Sequence, residues 1–269
     1  MPEWLAVVLL GIIEGVTEFL PVSSTGHLLL AENSSLLPPQ SELFNVVIQD
    51  GALLAVLVVF ARRVIELLSR LHERDSRDYV LKLALAFAIT AVGGYVAKKA
   101  GLALPKDIGP IAWATLIGGV LILLIEWSVR GRRLGTEVTW AVAIVVGLAQ
   151  LVAAVFPGTS RAGATILIAV LLGLGRPAAT DFSFLLGIPT LFAAGAYEIY
   201  GELRHPAAGV HTSWSMVLLG TVVSAVVAFL VVRWLLQWVR THTFVGFGWY
   251  RIALGIFMLG LAIWGFQSS

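Results

Sequence analysis

Cysteine is absent from the 269-residue chain, which excludes disulfides and thiolate chemistry and leaves the compartment open. Charge is scarce too: Asp, Glu, Lys and Arg supply 13% of residues, against roughly 25% in soluble domains. The formal net charge is only +2 and the basic residues are scattered, so the footprint of a nucleic-acid binder is missing. No basic stretch precedes the first apolar run, which opens Met1-Pro2-Glu3-Trp4, so a cleaved signal peptide is not expected.

What the chain has is apolar surface. Hydrophobic residues make up 58% and the mean hydropathy is +0.91. That much apolar area cannot be hidden inside a water-soluble particle of this size, so lipid is the expected solvent. Six stretches are long enough for a spanning helix, which needs about 20 residues: 44–60, 80–97, 111–127, 182–200, 214–236 and 249–266. Two further apolar regions, 4–30 and 138–172, are broken near the middle by Pro21-Val22-Ser23-Ser24-Thr25-Gly26-His27 and by Pro157-Gly158-Thr159-Ser160-Arg161. Proline interrupts the helical ladder, and freed backbone groups cannot face lipid. Both regions therefore read as re-entrant helical hairpins with tips held in protein.

The two broken regions resemble each other. Gly11 to Leu30 aligns without gaps on Gly147 to Ile166, which sets Glu14 on Gln150, Pro21 on Pro157 and Ser24 on Ser160. Residues 1–137 and 138–269 then each hold one hairpin and three spans within a single membrane domain. Three is odd, so the second half enters the membrane upside down. An all-α inverted-topology repeat with two broken helices points to a site where the tips meet.

Orientation follows from basic residues in the connections. Arg62, Arg63, Arg70, Arg74, Arg77, Arg130, Arg132 and Arg133, with Arg176, Arg233, Arg240 and Arg251, fall on one side; Lys98, Lys99, Lys106 and Arg204 fall on the other. The Arg-rich side is expected in the cytoplasm, with both termini outside. Trp127, Trp214 and Trp249 lie near span ends, where an interfacial belt wants them.

Glu14 and Glu18 are four residues apart and leave one helical face together. Carboxylates in an apolar segment are costly and mark function by default. The plain alternative is a helix that starts at the surface with both acids wetted by headgroups. Paired, they suit a hard divalent cation such as Mg²⁺ or Ca²⁺, or one of them is a general base for water. Ser23, Ser24, Thr25 and Gly26 begin the next half-helix, where hydroxyls cap and free N–H groups accept an anion. His27 follows Ser24 by three residues and can deprotonate its hydroxyl, attack phosphorus, or protonate the leaving oxygen. In the second tip, Arg161 has no acidic residue within ten positions and offers a fork of donors matched to phosphate. Gly158, Thr159, Ser160, Gly163 and Thr165 surround it with hydroxyls and close backbone approach. Asp50 is a candidate lining residue or a helix-packing one. Glu126 and Glu198 read as interfacial, and His72, His205, His211 and His242 carry no assigned role.

The run from Glu14 to His27, with Pro157-Gly158-Thr159-Ser160-Arg161-Ala162-Gly163-Ala164-Thr165 and Phe182-Ser183-Phe184-Leu185-Leu186, resembles the undecaprenyl-diphosphate phosphatase family, whose members confer bacitracin resistance. The resemblance covers nearly the whole chain. It implies an inner-membrane enzyme that removes one phosphate from undecaprenyl diphosphate with Mg²⁺ or Ca²⁺, recycles the carrier for cell-wall synthesis, and opens its site to the outer face. By match, the family's acids fall on Glu14 and Glu18, its Ser and His on Ser24 and His27, and its Arg on Arg161. Three positions depart: Ala162 replaces a second Ser, Asn45 a common acid, and Asp50 stands in a usually apolar place.

The expected mechanism has Glu14 and Glu18 on the metal, Arg161 and Ser160 on the phosphates, Ser24 or water attacking in line, and His27 moving the proton. Expected partners are the lipid diphosphate and the bilayer, and a homodimer as the assembly. The rival class is a transporter, since inverted repeats with broken helices are typical of carriers, and the site would then flip undecaprenyl phosphate between leaflets. Another phosphatase class, the acid phosphatase superfamily, is excluded by the lack of a Lys-x6-Arg-Pro or Pro-Ser-Gly-His run.

Overall fold

In hydrocarbon every backbone N–H and C=O must find its partner inside the segment, so long apolar runs become helices. The protein is an all-helical integral membrane protein. A computed structural model describes residues 1–32, 37, 40–102, 107–204 and 213–264, without the side chains of residues 42, 198, 202 and 203. Among the described residues ten helices follow in order: α1 (Glu3–Thr17), α2 (Ser24–Glu32), α3 (Glu42–Ser69), α4 (Arg74–Lys99), α5 (Ile108–Ser128), α6 (Trp140–Val155), α7 (Arg161–Leu171), α8 (Arg176–Arg204), α9 (Trp214–Trp238) and α10 (Val245–Ile263). Lys106, His205, His211 and the Glu198 side chain lie outside the description.

Six of these, α3, α4, α5, α8, α9 and α10, are long and apolar enough to cross a membrane. They match the six expected stretches, but their ends differ where polar residues extend a helix beyond the lipid-facing run. α3 continues past residue 60 because Arg63 pairs with Glu66 at 3.1 Å and Arg70 with Glu66 at 3.6 Å, one turn apart on a wet surface. α8 starts at Arg176, ahead of its apolar run, and carries Pro189 within it. α10 starts at Val245 rather than 249. That shift moves Arg251 from the expected surface group into the span, where it is 1% exposed.

The other four helices form the two broken pairs. α1 and α6 have 15 and 16 residues, α2 and α7 have 9 and 11. None reaches the length of a span, which agrees with the re-entrant reading. α1 lies alongside α9 in the same direction, Gly11 over Gly220 and Gly15 over Ser224. α6 lies alongside α4 in the same way, with Gly147 over Ala86 and the Thr90 hydroxyl donating to the Gly147 carbonyl at 3.1 Å. A Cβ at Gly11 or Gly147 would sit 2.8 Å from the facing carbonyl, so glycine lets the backbones touch.

Aromatic packing seats the first tip. Phe19 meets Phe184 of α8 edge-on at 5.1 Å, and Phe184 meets Phe60 of α3 at 6.2 Å. The Arg-rich ends of the helices are tied together as well. The Gly135 N–H donates to the Gly173 carbonyl and the Gly135 carbonyl accepts the Gly175 N–H, which links the α5–α6 and α7–α8 connections. Glu126 is a correction to the interfacial reading: it is 4% exposed, takes the Arg176 guanidinium on both oxygens, and accepts the Phe244 N–H at 2.9 Å. A surface-length polar residue is buried there because three charged-group bonds replace its water.

Candidate active site

α1 ends one residue before Glu18, whose N–H still bonds the Glu14 carbonyl at 2.9 Å, so both acids leave the same face. Beyond them Ser23 takes φ 75°, a left-handed conformation few non-glycine residues adopt. The Ser23 hydroxyl then accepts the Gly26 N–H at 3.3 Å and starts α2. The second tip repeats this with Ser160 at φ 69° and its hydroxyl accepting the Gly163 N–H at 3.1 Å. Local geometry therefore equates Ser23 with Ser160, one place off the gap-free pairing. The one-residue slip leaves Ser24 standing where Arg161 stands in the second tip.

Those two residues meet at one carboxylate. Ser24 Oγ donates to Glu18 Oε2 at 2.7 Å, and Arg161 Nη2 donates to Glu18 Oε1 at 3.1 Å. The pair is nearly dry, with Arg161 and Glu18 side chains 15% and 7% exposed. Arg161 reaches there because Gly187 of α8 leaves room: a Cβ at Gly187 would lie 2.2 Å from Arg161 Nη1. Its guanidinium also lies 5.5 Å from the Phe19 ring centre. Glu14 is fully buried beside Glu18 and within electrostatic reach of Arg161, and neither of its carboxylate oxygens has a hydrogen-bond partner.

His27 is placed differently from the simplest expectation. Its Nδ1 lies 2.7 Å from the Ser23 carbonyl and its Nε2 lies 2.6 Å from Tyr250 Oη. A carbonyl only accepts, so Nδ1 carries the proton and Nε2 accepts from the tyrosine. Ser24 is therefore paired with Glu18 and not with His27, which favours the carboxylate as its base.

Tyr250 was not legible as a site residue, and neither was its neighbour. Arg251 donates to five backbone carbonyls: Ala114 and Thr115 of α5, Pro21 of the first tip, and Gly158 and Thr159 of the second. One guanidinium thus bolts both tips to α5. The signal was an arginine six residues into an apolar helix, disguised by placing the span's start too late.

The remaining expected ligands divide. Ser160, Gly163, Ser23 and Gly26 line the two helix starts. Thr25 is exposed at the first tip. Gly158 (φ 91°) packs on Ile111 and has its carbonyl on Arg251, and Thr159 turns its hydroxyl to the Phe156 carbonyl at 2.7 Å. Thr165 is fully buried behind the site, bonded to the Arg161 carbonyl and to Ser183. Asp50 faces Gly195 of α8, with one oxygen buried and unpartnered.

Compared with known proteins, residues 7–257 match the family model of the bacitracin resistance protein BacA. The chain belongs to the BacA family. An undecaprenyl-diphosphatase of Rhizobium etli (strain CIAT 652) is 48% identical over 264 residues, 98% of either chain. One from Rhizobium johnstonii is 49% identical over the same length, and one from Xylella fastidiosa (strain 9a5c) is 51% identical over 260 residues, 96% of this chain and 98% of its own. The BacA match spans both tips and eight of the ten helices whole, with most of α1 and α10, so the Glu18–Ser24–Arg161 cluster lies inside the shared region.

Proposed function

We propose that this BacA-family protein is an undecaprenyl-diphosphate phosphatase, converting the lipid diphosphate to undecaprenyl phosphate and phosphate and so recycling the carrier for cell-wall synthesis and resisting bacitracin. The observation that carries the reading is Glu18 holding the Ser24 hydroxyl on one oxygen and Arg161 on the other. A serine facing its base beside a forked cation is suited to phosphoryl transfer.

Glu18 takes the Ser24 proton as Oγ bonds to the terminal phosphorus and the anhydride P–O bond breaks, leaving undecaprenyl phosphate. Arg161 and the N–H groups opening α2 and α7 hold the charge on the phosphoryl oxygens. Water then opens the phosphoserine; Glu18 returns its proton to Oγ, phosphate leaves, and the second water proton goes to solvent. His27, held by Ser23 and Tyr250, stands next to the nucleophile's helix turn to orient or relay a proton.

The two acids fit a divalent cation. Glu14 sets two fully buried carboxyl oxygens beside Glu18, and two adjacent acids of this kind are a hard-oxygen donor pair. Among the described residues no three acidic, histidine or cysteine side chains gather, so phosphate oxygens and water would complete the shell of a hard Mg²⁺ or Ca²⁺. When bound, such a cation supplies charge neutralisation of the diphosphate.

The proposal includes the two-fold organisation and the orientation. Parallel packing of α1 on α9 and of α6 on α4 is what an exchange of halves would produce, as are the matching strained serines. The Arg-rich end faces the cytoplasm of a bacterial inner membrane, and the site serves the outer face. Phosphate release by the purified protein in detergent tests the activity, since a detergent micelle has no second leaflet for a carrier to serve. Ser24→Ala and Glu18→Gln should each lower kcat by at least a hundred-fold; unchanged release by either variant would overturn the assignment.

A further inference from the structure

Three connections meet at the Arg-rich end of the bundle and enclose a cavity of about 330 Å³. Its wall comes from the α5–α6 connection (Arg132), the start of α8 (Arg176) and the turn between α9 and α10 (Arg240 to Thr243). No acidic side chain lines it among the described residues. Arg176 is engaged by Glu126, whereas Arg132 and Arg240 are exposed and form no ion pair among the described residues. Asp181 comes within electrostatic reach of Arg240, but it has Arg63 as well. The pocket therefore keeps uncompensated positive charge. Its walls are fixed in advance. Gly135 bonds to Gly173 and Gly175, the Phe244 N–H bonds to Glu126 at 2.9 Å, and the His242 ring stacks on Trp238 at 5.0 Å.

We propose that this pocket seats the phosphodiester head of an anionic membrane lipid, one that is not the substrate of the site between the tips. The inference does not rest on the phosphatase reading. The charge asks for an anion, and guanidinium forks match phosphoryl oxygens. The place asks for a lipid. α9 ends at Trp238 and α8 begins at Arg176, so the pocket opens where spans leave the hydrocarbon and headgroups lie. Basic pockets between spanning helices take the heads of anionic lipids at this level. Thr241 and Thr243 stand exposed beside the arginines and offer hydroxyls to a glycerol head. The volume lies near the low end of small-molecule sites, which begin at about 300 Å³, and suits one such head. A seated head joins the start of α10 to the α5–α6 and α7–α8 connections. It thereby braces the helix whose Arg251 ties the two tips.

Native mass spectrometry of the full chain, stripped of lipid in a neutral detergent, tests this with dioleoyl phosphatidylglycerol against the zwitterionic dioleoyl phosphatidylcholine. An arginine near an anionic head contributes about five-fold in affinity, so Arg132→Gln with Arg240→Gln should weaken binding of the first phosphatidylglycerol about ten-fold or more. Phosphatidylcholine should bind as before. Arg62→Gln with Arg74→Gln removes the same charge from the same end, away from the pocket, and should bind both lipids as wild type does. All four arginines are exposed, so both double variants should keep the wild-type melting temperature. An equal loss in the two would mean that the field of the whole end attracts the lipid, and overturns the pocket; so does a pocket variant that binds as tightly as wild type. Displacement of the lipid by millimolar inorganic phosphate would make the ligand a soluble anion, and tighter binding of undecaprenyl phosphate would give the pocket to the carrier lipid. Either result overturns the assignment. As a second measurement, phosphatidylglycerol with a photoreactive group in its head should label the peptide holding Thr241 to Thr243, and labelling confined to residues 61–79 would overturn the placement.

Discussion

Glu18 and Arg161 are 143 positions apart in the chain and share a 3.1 Å hydrogen bond inside the bilayer-spanning bundle. Both belong to tips of broken helices, and each is the other's charged partner. Removing one leaves the second charge buried, which costs about 3–5 kcal/mol in such surroundings. Arg161→Ala should therefore lower thermal stability in detergent as well as turnover, and the Glu18→Ala, Arg161→Ala double variant should be destabilised by less than the sum of the single changes. Additive losses would show that the pair is not coupled.

Gly187 offers a way to separate chemistry from folding. A methyl group there collides with the far end of the flexible Arg161 side chain and with nothing rigid. Gly187→Ala should displace the guanidinium, cut phosphate release at least ten-fold, and shift the melting temperature by only a few degrees. Unaltered kinetics would mean that Arg161 does not need its present position.

Both Glu14 carboxyl oxygens are buried without a geometric hydrogen-bond partner, so its change should have opposite effects on the two readouts. Glu14→Gln replaces a buried acid by a neutral group of the same shape and should leave the cation-free protein as stable as wild type or more so. The concentration of Mg²⁺ or Ca²⁺ that gives half-maximal phosphate release should rise at least ten-fold. A cation titration identical to wild type would remove Glu14 from the metal assignment.

Tyr250→Phe deletes the donor to His27 Nε2 and little else, a loss worth about 1 kcal/mol in stability. If the tyrosine orients the imidazole for proton transfer, kcat falls and its pH profile changes while KM stays constant. A change in KM alone would assign Tyr250 to substrate contact.

Arg251→Met keeps the volume and removes one donor from each of five carbonyls; those of Ala114 and Thr115 lie within α5 and Gly158 still accepts the Thr115 hydroxyl, so the loss falls on Pro21 and Thr159. At about 1–3 kcal/mol for each unsatisfied buried group, the expected result is a markedly less stable protein. Arg251→Lys supplies fewer donors without the fork and should recover only part of the stability, as read by thermal unfolding in detergent.

The four central residues were legible because their signals are local. Glu18, Ser24 and His27 lie within one decapeptide, and Arg161 follows a proline-broken apolar run with no acid nearby. Tyr250 and Arg251 were hidden because their partners are up to 230 positions away, and because Arg251 at the margin of a hydropathy window looks like an interfacial cation. Glu126 was misjudged for the same reason: its depth depends on Arg176 and the Phe244 N–H, which arrive from other helices.

The sequence by itself determined six spans, two interrupted helices and which tip carries acid and which carries base, since hydropathy and proline act over a single turn or a single span. Only the tertiary structure decided that Glu18 and not His27 faces Ser24, that Gly158 and Thr159 serve the scaffold, and that Arg251 joins the tips. Hydrogen-bond partners are chosen by which helices meet, and the close parallel contacts of α1 with α9 and α6 with α4 are what bring the two tips to one place.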